Sequence, residues 1–334
     1  RKRMSIYDVA KKAGVSVATV SRVINESATV SQETKIKVLK AIKELDYVPN
    51  GIARSLATNK TESVGIMVSN IRNYFDHQLA YELEKNLNEY GIVSILCNTT
   101  IETKKKLDYL YLLREKKVDA IITVGSMYEE KDFFEELAKA SKDFPIIMIN
   151  SILDREYKNI VTVSSAEETG IMNSLSYIKS RGYRNPIYIY PVDSMENRAA
   201  ISKRKAFGKA IKTYYPENDL IEFESSNVDD EIIEVIKILR DQKADAIQFE
   251  NDNLAIQYYK HFLSLGVKIP EEIAIVGFDN IDSSNFTQKA ISSIDQQLSL
   301  QAKIAVESLE NLMRNESVKH ETIVDSVFLA KETT

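Results

Sequence analysis

The chain has 334 residues, 44% of them apolar and 28% charged, with a formal net charge of −5 and one cysteine. That length holds two or three domains with cores of their own. The cysteine, Cys97 in the apolar run "VSILC", excludes a disulfide framework and reads as a small buried residue in a reducing cytoplasm. No run approaches the roughly 18 to 20 apolar residues of a membrane span, and no apolar segment of a secretory signal stands near the start, so no membrane partner is expected. Charge is uneven. Residues 1–60 carry 12 Lys and Arg against 5 Asp and Glu, and the remainder carries 32 against 44. A basic N-terminal segment on an acidic body suits a polyanion partner for that segment alone, although basic termini are often only solvated.

Three short helices open the chain. Ser5 precedes "IYDVAKKA" with Asp8 three residues on, a capping-box pattern, and Ile6, Val9, Ala10 and Ala13 recur at helical spacing. Gly14 is a left-handed stop. Ser16 caps a second helix in which Val20 and Val23 face the first, while Val17, Ala18, Ser21 and Arg22 fall toward the other side. Ser31 caps a third helix, "QETKIKVLKAIKEL", with an expected apolar stripe of Ile36, Leu39, Ile42 and Leu45. Helix, tight glycine turn and helix make a helix-turn-helix unit. The outer face of the second helix is small at its start and cationic at Arg22. Such a helix enters a DNA major groove, where Arg can bond twice to guanine. A purely structural three-helix bundle is the alternative.

"YVPNGIARSLAT" follows. Pro49 ends the helical region, and Asn50 to Ala57 has the spacing of one short helix with Ile52, Ala53 and Leu56 on a side. Such a helix is marginal alone in water, and a disordered linker is the competing reading.

From Ser63 onward strands and helices alternate. Strands are expected in "SVGIMVS", "IVSILCN", "DAIITVG", "FPIIMIN", "IVTVSS", "PIYIY", "ADAIQFE" and "EIAIVGFDN", with amphipathic helices between them. The expected class is α/β, with parallel, doubly wound sheets in two subdomains broken near residue 160. Ligands of such sheets sit at the carboxyl ends of the strands. Those ends carry Ser69 and Asn70, Asn98, Asn150, Asn251 and Asp252, and Asp279 and Asn280. Each alone reads more simply as a cap or turn residue; together, facing a cleft, they suit a polyhydroxylated ligand.

"IYDVAKKAGVSVATVSRVIN" followed by "VPNGIARSLAT" resembles the lactose-repressor (LacI/GalR) family of bacterial transcription regulators, in both motif order and spacing. The resemblance continues through the body to "VFLAKETT" and extends to periplasmic sugar-binding proteins of type I architecture. It implies that Val17, Ala18 and Arg22 read base edges and that Tyr7, Ser16, Thr19, Ser21 and Asn25 lie near phosphates. It makes 50–57 a hinge helix contacting DNA through Asn50, Ala53 and the apolar wedge Leu56. It divides the chain into a DNA-binding domain (1–48), a hinge and linker (49–61) and an effector and dimerisation core (62–334). The core's first subdomain spans about 62–161 and 291–321, its second about 162–290 and 322–334. "VSNIRNYF", "QFENDNLA" and "VGFDN" match the family's cleft segments, which carries effector contact onto Ser69, Phe75, Asn150, Asn251 and Asp279.

There are departures from the family pattern. The cleft loop reads "NYFD", so Tyr74 stands where proline is usual and Asp76 where an aromatic is; an acid there can accept a sugar hydroxyl or repel an anion. The clamping arginine of the family is replaced by Lys203, with Arg204 beside it, a point charge in place of a fork. Arg198 is a candidate substitute. "SSIDQQ" at 292–297 replaces a threonine-threonine and glutamine-proline pattern, which bears on crossover geometry.

The expected function is that of a regulator, by default a sugar-induced repressor of sugar-utilisation genes. Its expected partners are a near-palindromic double-stranded operator, a sugar or sugar-phosphate effector and a second copy of the chain. A dimer is expected over a tetramer because no leucine-heptad tail follows "VFLAKETT". Corepression or dependence on a phosphoprotein partner stays open, and a solute-binding protein is the alternative of a different class. No cofactor, metal or enzyme activity is expected: there is no P-loop, no GxGxxG, no metal-ligand spacing, and His77, His261 and His320 are scattered.

Overall fold

The computed structural model describes residues 4–24, 30–48, 60–192 and 198–334. The expected roles of Asn25, Asn50, Ala53 and Leu56 therefore lie outside the described residues. The chain divides into two compact units, 1–61 and 62–334.

In the first unit, α1 (Ile6–Ala13), α2 (Val17–Ile24) and α3 (Gln32–Glu44) surround a small core. Both halves of the capping box form: the Asp8 N–H donates to the Ser5 hydroxyl, and the Asp8 carboxylate accepts the Ser5 N–H at 2.9 Å. Gly14 closes α1 at φ +67° with its N–H on the Ala10 carbonyl, where a side chain would be strained. Val9, Ala10, Val20 and Val23 meet at the centre. The expected stripe of α3 is corrected. Ile36 and Leu39 are 59% and 48% exposed, and the helix instead buries Val38 and Ala41, with Ile42 and Leu45 packed beside them. Steps of three residues lose about 60° each on a 3.6-residue helix, so Ile36 and Leu45 point to opposite sides. The spacing 38, 41, 42, 45 holds one face.

The second unit begins with β1 (Ser63–Val68), α4 (Tyr74–Glu89), β2 (Val93–Asn98), α5 (Thr103–Glu115), β3 (Ala120–Val124), α6 (Lys131–Ala140), β4 (Ile146–Ile149) and β5 (Ile160–Ala166). Next come α7 (Glu167–Ser180), β6 (Pro186–Pro191), α8 (Arg198–Tyr214), β7 (Glu222–Ser225), α9 (Val228–Asp241), β8 (Ala246–Phe249), α10 (Asp252–Ser264) and β9 (Ala274–Val276). It ends with β10 (Ser293–Asp295), α11 (Leu298–Met313), β11 (Glu321–Asp325) and β12 (Val327–Leu329). Two all-parallel sheets result, ordered β11-β5-β4-β3-β1-β2 and β7-β6-β8-β9, with β10 and β12 forming a separate antiparallel pair.

Alternation along the strands explains the layers. Val64, Ile66 and Val68 of β1 enter one core beneath α4 and α11, while Met67 enters the core beneath α5 and α6. In the second sheet Ile187 and Ile189 face α9 and α10, and Tyr188 and Tyr190 face α7 and α8. Strands covered on both faces have no polar side to show, which is why these runs read as almost continuously apolar.

The expected subdomain boundaries move. β5 runs through 161/162 and belongs wholly to the first sheet, where it pairs with β4 and β11, so the first crossing follows residue 166. The later return to the first sheet extends to Asp325 rather than ending near 321. β11 and β5 complete each other's backbone hydrogen bonds, which keeps both in one sheet.

Candidate DNA-binding helix and effector cleft

α2 begins at Ser16, whose hydroxyl accepts the Thr19 N–H at 3.1 Å and shares a 2.9 Å bond with the Thr19 hydroxyl. Ala18 and Arg22 are exposed, and Ser21 is half-buried. Val17 is half-buried and packs against the core of the first unit. Tyr7 on α1 is exposed. The unit thus presents a short helix with a small residue and a cation outward.

In the second unit the carboxyl ends of β1, β4, β8 and β9 carry the remaining candidates. At β1 the Ser69 hydroxyl donates to Asp76 Oδ2 at 2.6 Å, and the Asn70 N–H donates to the same oxygen at 2.8 Å. The Asp76 carboxylate is buried, and its Oδ2 anchors the loop. Burial pushes its pKa up, and the Ser69 and Asn70 bonds pull it back. Phe75 is half-buried against the first core.

At β4, Asn150 adopts φ +57°, and its carbonyl accepts Arg198 Nη2 at 2.9 Å. Arg198 Nε donates to Glu129 Oε1 at 3.0 Å, and the Ile152 N–H donates to the same oxygen. Arg198, at the start of α8, therefore ties the second sheet's helix layer to two strand-end loops of the first sheet. Lys203 is buried, with its Nζ on the Glu250 carbonyl at 3.1 Å and 4.3 Å from the centre of the Phe278 ring. Arg204 turns elsewhere, to Glu222 at 2.8 Å and the Tyr190 ring, which leaves Lys203 and Arg198 of the three candidate basic residues.

At β8, Asn251 caps α10, its Oδ1 accepting the Leu254 N–H at 2.9 Å, which commits that oxygen to the helix. After β9, Asp279 sits at φ +99° and its Oδ1 accepts Gln296 Nε2 at 2.6 Å. Gln296 Oε1 accepts the Ser165 hydroxyl at 2.6 Å, so Ser165, Gln296 and Asp279 link the ends of the two sheets. Ser69 with Asp76, Asn150 with Arg198, and Lys203 with Asp279 are brought together.

Known proteins identify the family. The model of "Bacterial regulatory proteins, lacI family" matches residues 5–50, and that of a periplasmic binding protein-like domain matches 175–334. An HTH-type transcriptional regulator of Lachnoclostridium phytofermentans is 31% identical over 333 residues, covering 99% of both chains. The chain belongs to the lacI family. A ribose operon repressor of Halalkalibacterium halodurans is 30% identical over 305 residues, covering 88% of this chain and 86% of that one. In fold, the chain is similar to a lac repressor dimer bound to operator and the anti-inducer ONPF, with TM-score 0.85, 20% identity and 99% of both chains covered. This lacI-family chain is a DNA-binding transcriptional regulator with an N-terminal helix-turn-helix domain and a periplasmic-binding-protein-like core. Among its described residues no helix is long and apolar enough to cross a membrane.

Two groups near the candidate cleft of this lacI-family core escape a sequence reading. Glu129 is one turn beyond β3, and Glu167 opens α7; neither lies at a matched cleft motif. Asp252 stands with Asn251 among the strand-end polar groups, but its burial is not visible in the sequence. In the fold it is fully buried, accepting the Ile281 N–H at 2.8 Å on Oδ2 and the Ser293 hydroxyl at 2.7 Å on Oδ1. The one local signal was Gly277, which leaves room for that carboxylate.

Burial, with the Asp279 charge nearby, pushes the Asp252 pKa up to about 7. The unfolded chain releases that proton near pH 4. The native state therefore binds the extra proton between about pH 4 and 7, and the group's stabilisation, full below pH 4, is lost as pH rises through 7. The expected slope is at most about 1.4 kcal/mol per pH unit. Asp252→Asn retains both bonds, with its amide donating to Ser293, and removes the titration. Denaturant unfolding between pH 5 and 8 is expected to show a flatter profile for the variant; parallel profiles would contradict the assignment.

Proposed function

We propose that this chain is a dimeric repressor of sugar-utilisation genes, released from or held on its operator by a sugar or sugar phosphate bound between the two sheets. The observation that carries the reading is the meeting of Asn150, Arg198, Lys203 and Asp279 from opposite sheets at the strand ends, where ligands of parallel sheets sit. A ligand bridging both sheets alters their angle and so the operator affinity; couplings of this kind are typically about 1–3 kcal/mol. In this reading Ala18 and Arg22 face base edges, Tyr7, Ser16, Thr19 and Ser21 lie along the phosphates, and Leu56 enters the minor groove. The name of the ribose operon repressor supports a sugar as effector class.

Two-fold pairing has a surface to use. β2 is the edge of the six-stranded sheet and leaves Val93 66% exposed and Leu96 exposed; α4, packed on β2, adds Tyr81. An apolar edge of this sort favours a second copy of the chain over water. Two heads then read a near-palindromic site.

The test is Asp279→Asn, since asparagine tolerates the positive φ and alanine does not. Operator binding without effector is expected to be unchanged, and the response to a sugar that shifts the wild type is expected to weaken by tenfold or more. A normal response would remove Asp279 from the effector site.

A further inference from the structure

We propose that the outer face of α8 is a docking groove for an acidic amphipathic helix of a partner protein, held by Lys205 and Lys212 beside an apolar floor. The proposal does not depend on what the cleft binds.

The sequence sets this face apart. Outside its first sixty residues the chain carries 32 Lys and Arg against 44 Asp and Glu. α8, "RAAISKRKAFGKAIKTY", reverses that balance, with six cations and no acid in 17 residues. Its Ala206, Phe207, Ala210 and Ile211 are buried against the second sheet. Ile201, Lys205, Gly208 and Lys212 recur at helical spacing on the opposite side and form one stripe about 16 Å long.

That stripe and Leu220, just before β7, line a groove of about 590 Å³. Ile201 is 37% exposed and Leu220 48%, so the groove shows apolar surface to water. Gly208, a residue that weakens a helix interior, keeps the middle of the floor low: a β-carbon there would meet only Leu220, at 3.5 Å.

The charges are left over. Arg204 pairs with Glu222 and Lys209 with Glu168. Lys205 and Lys212 have no ion pair among the described residues, although the body is acidic overall. Exposed lysines on a plain polar face are ordinarily just solvated; these two flank apolar side chains. A helix with an apolar ridge between carboxylates answers both features, its ridge on Ile201 and Leu220 and its carboxylates on the two ammonium groups. A nucleic acid fits less well. Its phosphates gain nothing from the apolar floor, and beyond the ends of the stripe its charge meets an acidic body.

The experiment is fluorescence anisotropy on the full chain with a labelled synthetic helix of about four turns, Leu along one stripe and Glu on both flanks. The control peptide has Gln in place of every Glu. One variant is Lys205→Glu with Lys212→Glu, both exposed positions; the other is Gly208→Leu, which fills the floor and keeps every charge. The acidic peptide is expected to bind the wild type about tenfold or more tighter than the Gln peptide, and to lose about tenfold or more in each variant. Operator binding is expected to persist in both. Absence of binding to the wild type, or equal binding of the two peptides, overturns the proposal. Undiminished binding to the lysine variant does the same. Undiminished binding to Gly208→Leu, on protein with a normal unfolding transition, overturns the groove as the seat; if that variant does not fold, the lysine variant decides alone. If the lysine changes instead abolish binding of non-operator DNA, or self-association in sedimentation, the face belongs to nucleic acid or to a second copy, and the proposal falls.

Discussion

Gly277→Ala is expected to cost about 3–5 kcal/mol, enough to lower the melting temperature of the core by roughly 10 °C. A β-carbon at 277 would lie 1.8 Å from Asp252 Oδ1 and 3.3 Å from the Asp252 Cα. The carboxylate cannot swing clear, because it is fully buried and holds both the Ile281 N–H and the Ser293 hydroxyl. Relief means giving up those bonds, which leaves a buried N–H unpaired, or shifting β9 against α10. Gly91→Ala is the control: Gly91 has φ +72° and open space where a Cβ would stand, so only about 1–2 kcal/mol of left-handed backbone strain is introduced. Calorimetric unfolding of the two variants is expected to separate them clearly. Equal losses would mean that Asp252 is free to move and that the cleft floor is not built around it.

Arg22→Ala is expected to weaken operator binding by about 1–3 kcal/mol, and to do so at one base pair. Arg22 is exposed on α2, away from the Val20 and Val23 face that holds the helix in the unit, so its loss leaves the fold alone. The check is affinity for the operator and for operators changed singly at each position. The variant is expected to lose its preference at the position Arg22 reads and to keep it elsewhere. Uniform weakening across all sequences, with a smaller salt dependence, would place Arg22 on a phosphate instead.

What the sequence made legible was local. Ser5 with Asp8, Gly14 and Ser16 act within one helical turn, and each forms as its spacing implies. The alternating apolar strands of the core were equally readable, because burial on both faces writes itself into every residue. The α3 stripe failed through arithmetic of the helix, since steps of three drift around the axis while 38, 41, 42 and 45 do not. The subdomain boundary failed because nothing within "IVTVSS" says which sheet it joins; that is settled by β11, some 160 residues later.

The strand-end polar residues of the candidate cleft were visible in the sequence, and their wiring was not. Asp76 Oδ2 holds a loop, and Asn251 Oδ1 caps a helix. The pairs that close the site, Ser165 with Gln296 and Asp252 with Ser293, join residues 131 and 41 positions apart. No periodicity links such positions, and only the return of the chain between the sheets brings them together. Glu167 is the sharpest case: a first-turn acid by sequence, a buried carboxylate with one idle oxygen in the fold.

The most direct test of the account is to capture fragments of the host genome with the full chain, without added sugar, and sequence them. A sequence-specific dimer predicts enrichment of one near-palindromic site, its half-sites symmetric about a central step, beside genes for sugar uptake or breakdown. Failure to enrich any site, with and without free sugars present, would contradict it.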